Sequence, residues 1–268
     1  MRGKFLEINS QTSMYKNLRL TFQNIFLQDL WRTHSDTINK ALLLRWWPVN
    51  GVEHLLKTDL FDEAVNDGLH SLLDARANHV FGMDISFPVV DQVRLRYPGF
   101  QTIGGDVRYL PFMDNSFDLI VSNSTLDHFE SAEEITMSLR ELHRVLQPGK
   151  QMIITLDNLS NPIVLLRNWL PCRLLQRLRI VPYYVGVTLG PNSLRHLLKE
   201  IGFNVLEVDA MMHCPRVLAV LVARWTEKHT RPKTQRHFLR FLQAFECLSR
   251  LPTRFFTGYF IAVRVMKR

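Results

Sequence analysis

Asp106, Asn123, Asp127 and His128 fall within one short stretch, IGGDVRYLPFMDNSFDLIVSNSTLDH, running from Ile103 to His128. Carboxylates and a side-chain amide accept hydrogen bonds from a ligand's hydroxyl and amino groups, and a histidine can take a proton near neutral pH. Their placement matters more than their number. The stretch holds a segment ending on Gly105-Asp106, a turn through Leu110-Pro111-Phe112, and an apolar run over residues 117–122. Phe-Asp-Leu-Ile-Val does not alternate, as expected of a strand in a parallel sheet covered by helices on both faces. Ligands of open α/β sheets sit beyond the carboxyl ends of the strands. All four residues stand at such ends, so the site is expected there.

The elements that must hold them can be followed along the chain. A first strand is predicted over residues 52–57, ending near Thr58-Asp59, with a helix over about 67–76. A second, over 79–83, ends on Asp84. A helix over 88–96 follows, with Pro88 suited to its first turn. Residues 101–103 make a short third strand and 117–122 the fourth. Ser131, with Glu134 three residues on, is a capping-box pattern that opens a helix over 131–146, ended by Pro148-Gly149. The fifth strand, 151–156, ends on Asp157-Asn158. A helix over 193–201 stops at Gly202, and 203–208 is a sixth strand. Helices are expected over 215–225 and 233–251, and an aromatic and β-branched final strand over 255–265.

Two blocks carry a resemblance. D-V-x-x-L-P-F-x-D-x-S-F-D-L-I-V-S over residues 106–122 is followed by His128 and then by L-R-E-L-x-R-V-L-Q-P-G-K over residues 139–150. Together they resemble the central part of class I S-adenosylmethionine-dependent methyltransferases, most closely the type 11-like group that methylates small molecules and lipids such as quinones. The likeness is strong from about residue 80 to 158. It implies a Rossmann-like α/β fold: seven mostly parallel strands, the last antiparallel, with a helical N-terminal extension and helical lid insertions. The organisation expected is a helical cap over residues 1–50 and a methyltransferase domain over 51–268, with insertions near 161–190 and 215–251. The function implied is methyl transfer from S-adenosylmethionine to a small hydrophobic, aromatic or lipid-like acceptor. The alternative is a catalytically silent relative that binds a ligand or a protein.

The chain has no G-x-G-x-x-G and no G-x-x-x-x-G-K-[ST], so no loop is built to cradle a pyrophosphate. That counts against NAD, FAD and ATP but not against S-adenosylmethionine, which has no phosphate. By the resemblance, Asp84 would bind the ribose, with Ile85 beside it. Asp106 would meet the adenine amino group, the Val107 backbone the ring edge, and Asn123 the rest of the cleft. Helix capping for Asp84 and a turn role for Asp106 are the alternatives. The first loop, Lys57 to Gly68, departs from the family: only Gly68 remains of its usual glycines. Asp59 or Glu63 would there face the cofactor's ammonium or sulfonium. His128 is the candidate general base, oriented by Asp127, with a structural helix-start role as the alternative. His213 is a second candidate, and Asn158 and Asn161 stand where an acceptor pocket or a turn would need them.

Composition sets the frame. At 268 residues, 46% hydrophobic and 22% charged, the chain is ordinary for one large α/β domain with additions. Three scattered cysteines, Cys172, Cys214 and Cys247, suit a reduced compartment rather than a disulfide framework, and none has metal-ligand spacing. No run is apolar and long enough to span a bilayer, and the MRGKFLEINSQ start lacks a signal peptide's apolar core. The cytoplasm is the expected compartment. Net charge is +8, with basic residues gathered over 167–179 and from Arg224 onward. Solvated helix faces, an anionic membrane surface or an acidic substrate would each explain that. No nucleic-acid motif accompanies it. The apolar 161–190 insertion suits a bulky hydrophobic acceptor, and as a basic lid carrying Arg173 and Arg177 it could rest peripherally on a membrane.

Overall fold

The computed structural model describes residues 29–170 and 186–268. Most of the expected N-terminal cap and the middle of the 161–190 insertion, with Cys172, Arg173 and Arg177, lie outside the described residues. One sheet holds seven strands: β1 (Val52–Thr58), β2 (Ala77–Asp84), β3 (Gln101–Gly104), β4 (Phe117–Asn123), β5 (Leu146–Asp157), β6 (Phe203–Met211) and β7 (Phe260–Lys267). They lie in the order β3-β2-β1-β4-β5-β7-β6. β7 runs antiparallel to both its neighbours, and the other six strands are mutually parallel. This is the sheet implied by the resemblance. The chain winds outward from β1 to β3 and then returns to β4 on the other side, so a crevice opens between the carboxyl ends of β1 and β4.

Helices cover both faces. In chain order they are α1 (Asp29–Trp46), α2 (Phe61–Val65), α3 (His70–Asp74), α4 (Phe87–Arg96) and α5 (Ala132–Val145). There follow α6 (Pro162–Trp169), α7 (Pro191–Ile201), α8 (Arg216–His229), α9 (Pro232–Ala244) and α10 (Arg254–Thr257). Leu55, Leu119, Val121 and Ile153 point into the layer of α1 to α4. Leu56, Ile120, Met152 and Ile154 point into the layer of α5 and α7. Successive strand residues face opposite ways, so continuous apolar runs are what a doubly covered sheet needs. A third apolar cluster joins Leu30 and Trp31 of α1 to Val164 of α6, Ala219 and Ala223 of α8, Leu242 of α9 and Tyr259. It builds a helical cap beside the carboxyl ends of β5 and β6.

α5 forms with both halves of its capping box, Ser131 Oγ to the Glu134 N–H and Glu134 back to the Ser131 N–H. It stops at Val145, and Pro148-Gly149 lie in the first residues of β5 rather than at the helix end. A register shift opposite Phe117–Leu119 accommodates them. Asp118, within that shift, takes the His54 N–H at 2.9 Å and Lys150 at 2.6 Å.

Three expectations are corrected. The first loop forms a short helix of its own, α2, and the helix expected over 67–76 shrinks to α3. The helix expected over 233–251 tightens into a 3₁₀ turn from Phe245 to Arg250. The last strand begins at Phe260, because residues 254–257 form α10 instead. Asn158 Nδ2 donates to the carbonyls of Phe255 and Gly258, and Asn161 Nδ2 to those of Phe256, Thr257 and Gly258. Asn161 Oδ1 also caps α6 by accepting the Ile163 and Val164 N–H groups. Both asparagines are therefore brackets holding α10, not pocket walls. Gly258 must be glycine there, since a Cβ would come within 2.7 Å of the Ala210 Cβ.

Candidate functional site

Asp59 follows β1 at φ 72°, in the left-handed region where aspartate is one of the few tolerated substitutes for glycine. Its Oδ1 accepts the Phe61 N–H at 3.0 Å and starts α2. Leu60 N–H goes to Asp84 Oδ2 at 2.8 Å, and Ser86 N–H to Asp84 Oδ1 at 2.8 Å. The Leu60 side chain is wholly buried, over Gly82, where a Cβ would meet it at 2.7 Å. The loop is thus held down by one buried leucine and two carboxylates, where glycines were the family expectation.

The acidity of the loop has a local cause. Asp62 pairs with Arg32 of α1 at 2.7 Å, and Asp67 with Lys40 of α1 at 3.1 Å. Glu63 is fully buried, with Oε2 on Lys57 Nζ at 2.8 Å and Oε1 taking the Leu69 N–H at 2.9 Å. Burial alone would pull the Lys57 ammonium down, but Glu63, Asp59 and Asp62 together hold it above its ordinary range. Asp36 of α1 is pushed up to about 7 by burial and by Asp62. Glu63 therefore faces Lys57 and not the cleft, which corrects the expectation for it. Gly68, at φ 54°, makes room for the same pair: a Cβ there would lie 2.6 Å from Glu63 Oε1. It too serves the loop's interior.

Asp59 is the loop acid that remains at the cleft, beside Asp84. Burial, and then repulsion from Asp84, raise the Asp59 carboxyl well above its usual range; Lys57 offsets only part of this. Burial also raises Asp84, against two backbone hydrogen bonds that lower it. A carboxyl whose folded pKa is raised gives stability that is complete below the unfolded pKa and is lost as pH climbs through the folded one. Asp59→Asn removes that loss. It is expected to raise the melting temperature by a few degrees at neutral pH, with the gain gone below about pH 4. The same variant should weaken binding of a cationic ligand by about tenfold, because the ligand can no longer draw Asp59 into its ionised form beside it. Melting curves across pH, with a parallel titration, check both halves; a gain that persists in acid would contradict the assignment.

Beyond β3, Asp106 is clasped by a residue that the sequence did not single out. Arg108 Nε reaches both Asp106 oxygens, at 3.0 and 2.9 Å, and the Arg108 N–H reaches Oδ1 at 2.9 Å. Arg108 Nη1 continues to Glu134 at the capping box of α5. The only hint was position: a cation two residues after the acid, on a turn. Ile85, next to Asp84, leaves half of its apolar surface bare, and the Phe87 ring lies across Gly104, where a Cβ would come within 2.5 Å of it. The Val107 side chain is buried in the core.

The far side of the crevice carries Asp127 and His128, in a 3₁₀ turn just after β4. Asp127 is buried; its Oδ2 accepts the Asp157 N–H at 3.3 Å, while Oδ1 has no hydrogen-bond partner. His128 Nε2 lies 3.9 Å from that Oδ1, with 55% of its side chain exposed. Burial and then Asp157 raise the Asp127 carboxyl, and His128 draws it back. His128 is close enough to Asp84 for its charge to act on that carboxyl. Behind them Asp157 is tied to Arg167 at 2.6 Å, and Arg167 to the Tyr259 hydroxyl at 2.8 Å. Asn123 Oδ1 accepts the Thr155 hydroxyl at 2.5 Å. Thr58, Ser122 and Thr125 share hydroxyl hydrogen bonds of 3.0 and 2.8 Å across the crevice floor.

His213 is elsewhere. Its Nδ1 meets Thr257 Oγ1 at 2.7 Å and its Nε2 the Ala210 carbonyl at 3.0 Å, both ring nitrogens being used in a buried setting. It is not available to an acceptor. A groove of about 690 Å³ lies near Arg45, Asp209 and Arg254, but these charges are already paired with one another. The strand-end crevice, with its unpaired Asp127 oxygen, is the better candidate.

Residues 65–154 match the family model described as a methyltransferase domain. The fold agrees with it: the N-methyltransferase NodS of Bradyrhizobium japonicum, solved with S-adenosyl-L-homocysteine, superposes with a TM-score of 0.51 at 11% identity. That alignment covers 85% of each chain. Residues 65–154 therefore carry the likeness to a methyltransferase domain, on a sheet of the class I methyltransferase fold. Malonyl-[acyl-carrier protein] O-methyltransferase of Erwinia billingiae is 26% identical over 147 residues, 55% of this chain and 55% of that protein. The 2-phytyl-1,4-naphtoquinone methyltransferase of Nostoc punctiforme is 35% identical over 91 residues, 31% of this chain and 38% of the relative. The chain thus spans about half the length, or less, of these curated relatives.

S-adenosylmethionine is the cofactor of such a domain, and the crevice suits its chemistry. The two ribose hydroxyls and the exocyclic amine are donors, the ammonium and sulfonium are cations, and Asp59, Asp84 and Asp106 offer carboxyl oxygens as acceptors. Two buried carboxylates that repel one another are relieved by a cation placed between them. The bare face of Ile85 offers the flat ring an apolar seat.

Proposed function

We propose that this methyltransferase domain moves the methyl group of S-adenosylmethionine to a small hydrophobic, lipid-like acceptor. One observation supports the reading: Asp59 follows β1, Asp84 ends β2 and Asp106 follows β3, while Asp127 and His128 follow β4 across the crevice between β1 and β4. Asp84 would hold the ribose and Asp106 the adenine amino group, shared with Arg108. Asp59 would lie toward the cationic end. When bound, the cofactor supplies an already activated methyl group, so the protein's work is alignment, exclusion of water and proton removal.

His128 takes the proton from the acceptor's hydroxyl or amine. The imidazolium so formed sits beside Asp127, whose unpaired Oδ1 gains a counter-charge, and the pair thus holds the proton until it leaves to solvent through the exposed edge of the ring. Hydrophobic acceptor chemistry is supported by the apolar cap of α6 and α8 beside the crevice, and by a relative named for a phytylated naphthoquinone. No helix among the described residues is long and apolar enough to cross a membrane.

His128→Ala is expected to lower the transfer rate by about 10²–10⁴-fold and to leave S-adenosylmethionine binding unchanged. The check is passage of a labelled methyl group into organic-extractable acceptors, prenylated quinols first. An unaltered rate in the variant would remove His128 from the chemistry. A second reading has its own observation: the Leu60 and Phe61 N–H groups, which open the first loop, are already bound to Asp84 and Asp59. Two of the loop's donors are thus taken before a ligand carboxylate could use them, which favours a protein that binds a related ligand without transferring a methyl group. Saturable binding with no transfer to any acceptor would decide for it.

A further inference from the structure

Three apolar residues of α8, Leu218, Leu221 and Trp225, are 58–60% exposed and fall at i, i+3 and i+7, one stripe of the helix. The opposite side of α8 is the one that packs, through Ala219 and Ala223. α6 repeats the arrangement: Val164 enters the same cluster, while Ile163, Leu166 and Trp169 face outward, Trp169 at 79% exposure. Two neighbouring helices of the cap thus turn aromatic and aliphatic surface to solvent. The Trp225 indole is braced by stacking on His229, ring centres 5.4 Å apart.

Charge surrounds this surface with one sign. Arg224, Lys228, Arg231, Lys233, Arg236 and Arg240 are exposed along α8 and α9. The acid within α8 and α9, Glu227, is half-buried and bound to the Leu30 N–H at 2.5 Å. Aliphatic and tryptophan side chains flanked by cations are the pattern of a surface that enters the headgroup layer of an anionic bilayer. A second copy is a poor occupant, because a two-fold contact sets each patch against itself and would bring the same row of cations together. A nucleic acid leaves the leucines without a partner.

We infer that α6 and α8, with the cations of α9, dock this protein onto an anionic lipid surface, the crevice opening next to the bilayer. α6 follows Asp157 closely and α8 begins soon after β6, so the docking face adjoins the end of the sheet where the acceptor would sit. The inference deepens the lipid-like acceptor reading, on which its use rests; its evidence is separate.

The test is flotation of the full chain with vesicles of phosphatidylcholine alone and of phosphatidylcholine and phosphatidylglycerol in equal parts. Binding is expected to the second kind only, and release at ~1 M salt, where the screening length falls to about 3 Å. Each cation near such a surface is worth about fivefold in partition, so Lys228→Glu with Arg236→Glu should weaken binding by at least about tenfold. Leu221→Gln with Trp225→Gln, both at exposed positions, should do the same. Absence of binding, or binding that ignores both double variants, overturns the inference. So does a dimer in sedimentation that the Leu221/Trp225 variant dissolves, which would assign the face to a second copy. Titration of the same samples with S-adenosylmethionine separates the two proposals: cofactor binding that persists without vesicle binding sinks only the docking.

Discussion

Replacing Asp84 by alanine is expected to weaken S-adenosylmethionine binding by at least about a hundredfold. Two hydrogen bonds from ribose hydroxyls to a charged acceptor are each worth about 1.5–3 kcal/mol, and each 1.4 kcal/mol is tenfold in affinity. The aspartate also holds the Leu60 and Ser86 N–H groups, so the alanine variant loosens the loop as well. Asp84→Asn separates these effects. It keeps one acceptor for the backbone and is expected to fold with a near-normal melting temperature, while binding still falls by about tenfold or more. Equilibrium dialysis with labelled cofactor on both variants checks this. Equal affinity in wild type and Asp84→Asn would move the ribose away from this strand end.

The second large effect is on stability. Lys57→Met leaves Glu63 charged and fully buried with no cation, and breaking a buried pair by removing one partner typically costs about 3–5 kcal/mol. Side-chain exposure of the pair is 3% and 0%, so solvent cannot take the place of the lysine. Removing both charges together, as Lys57→Met with Glu63→Gln, is expected to recover most of the loss, because the glutamine can still accept the Leu69 N–H. Urea unfolding of the three proteins gives the comparison. If the double variant is no more stable than the single one, the pair does not act as a unit.

The contrast between these two residues shows what the chain discloses by itself. Asp84, Asp106, Asp127 and His128 could be placed at strand ends because strands of a parallel sheet are continuous apolar runs, and a polar residue closing such a run marks its carboxyl end. The order of seven strands with the last reversed came from the resemblance carried by residues 106–122 and 139–150. The first loop was not legible in the same way. Its acids looked available to a ligand, yet Asp62, Glu63 and Asp67 are answered by Arg32, Lys57 and Lys40, two of them on α1. Pairing across such distances depends on how helices settle on the sheet, which spacing does not encode. Asn158 and Asn161 leave both a pocket and a turn open for a related reason. Polar residues after a strand serve a pocket or a bracket equally well, and the carbonyls they hold lie about a hundred residues away. Arg108 was overlooked because nothing in its type announces that it would clasp Asp106.

The central claim is that a first loop built on Leu60, Asp59 and a buried Lys57–Glu63 pair still leaves a working cofactor cleft. Isothermal titration of the wild-type chain with S-adenosylmethionine tests it directly, with folding verified by a cooperative melt of the same sample. The account predicts saturable one-to-one binding in the micromolar range, displaced by S-adenosyl-L-homocysteine. A folded protein that gives no saturable heat would contradict it, and Asp59 and Asp84 would then be structural acids of a fold that no longer takes the cofactor.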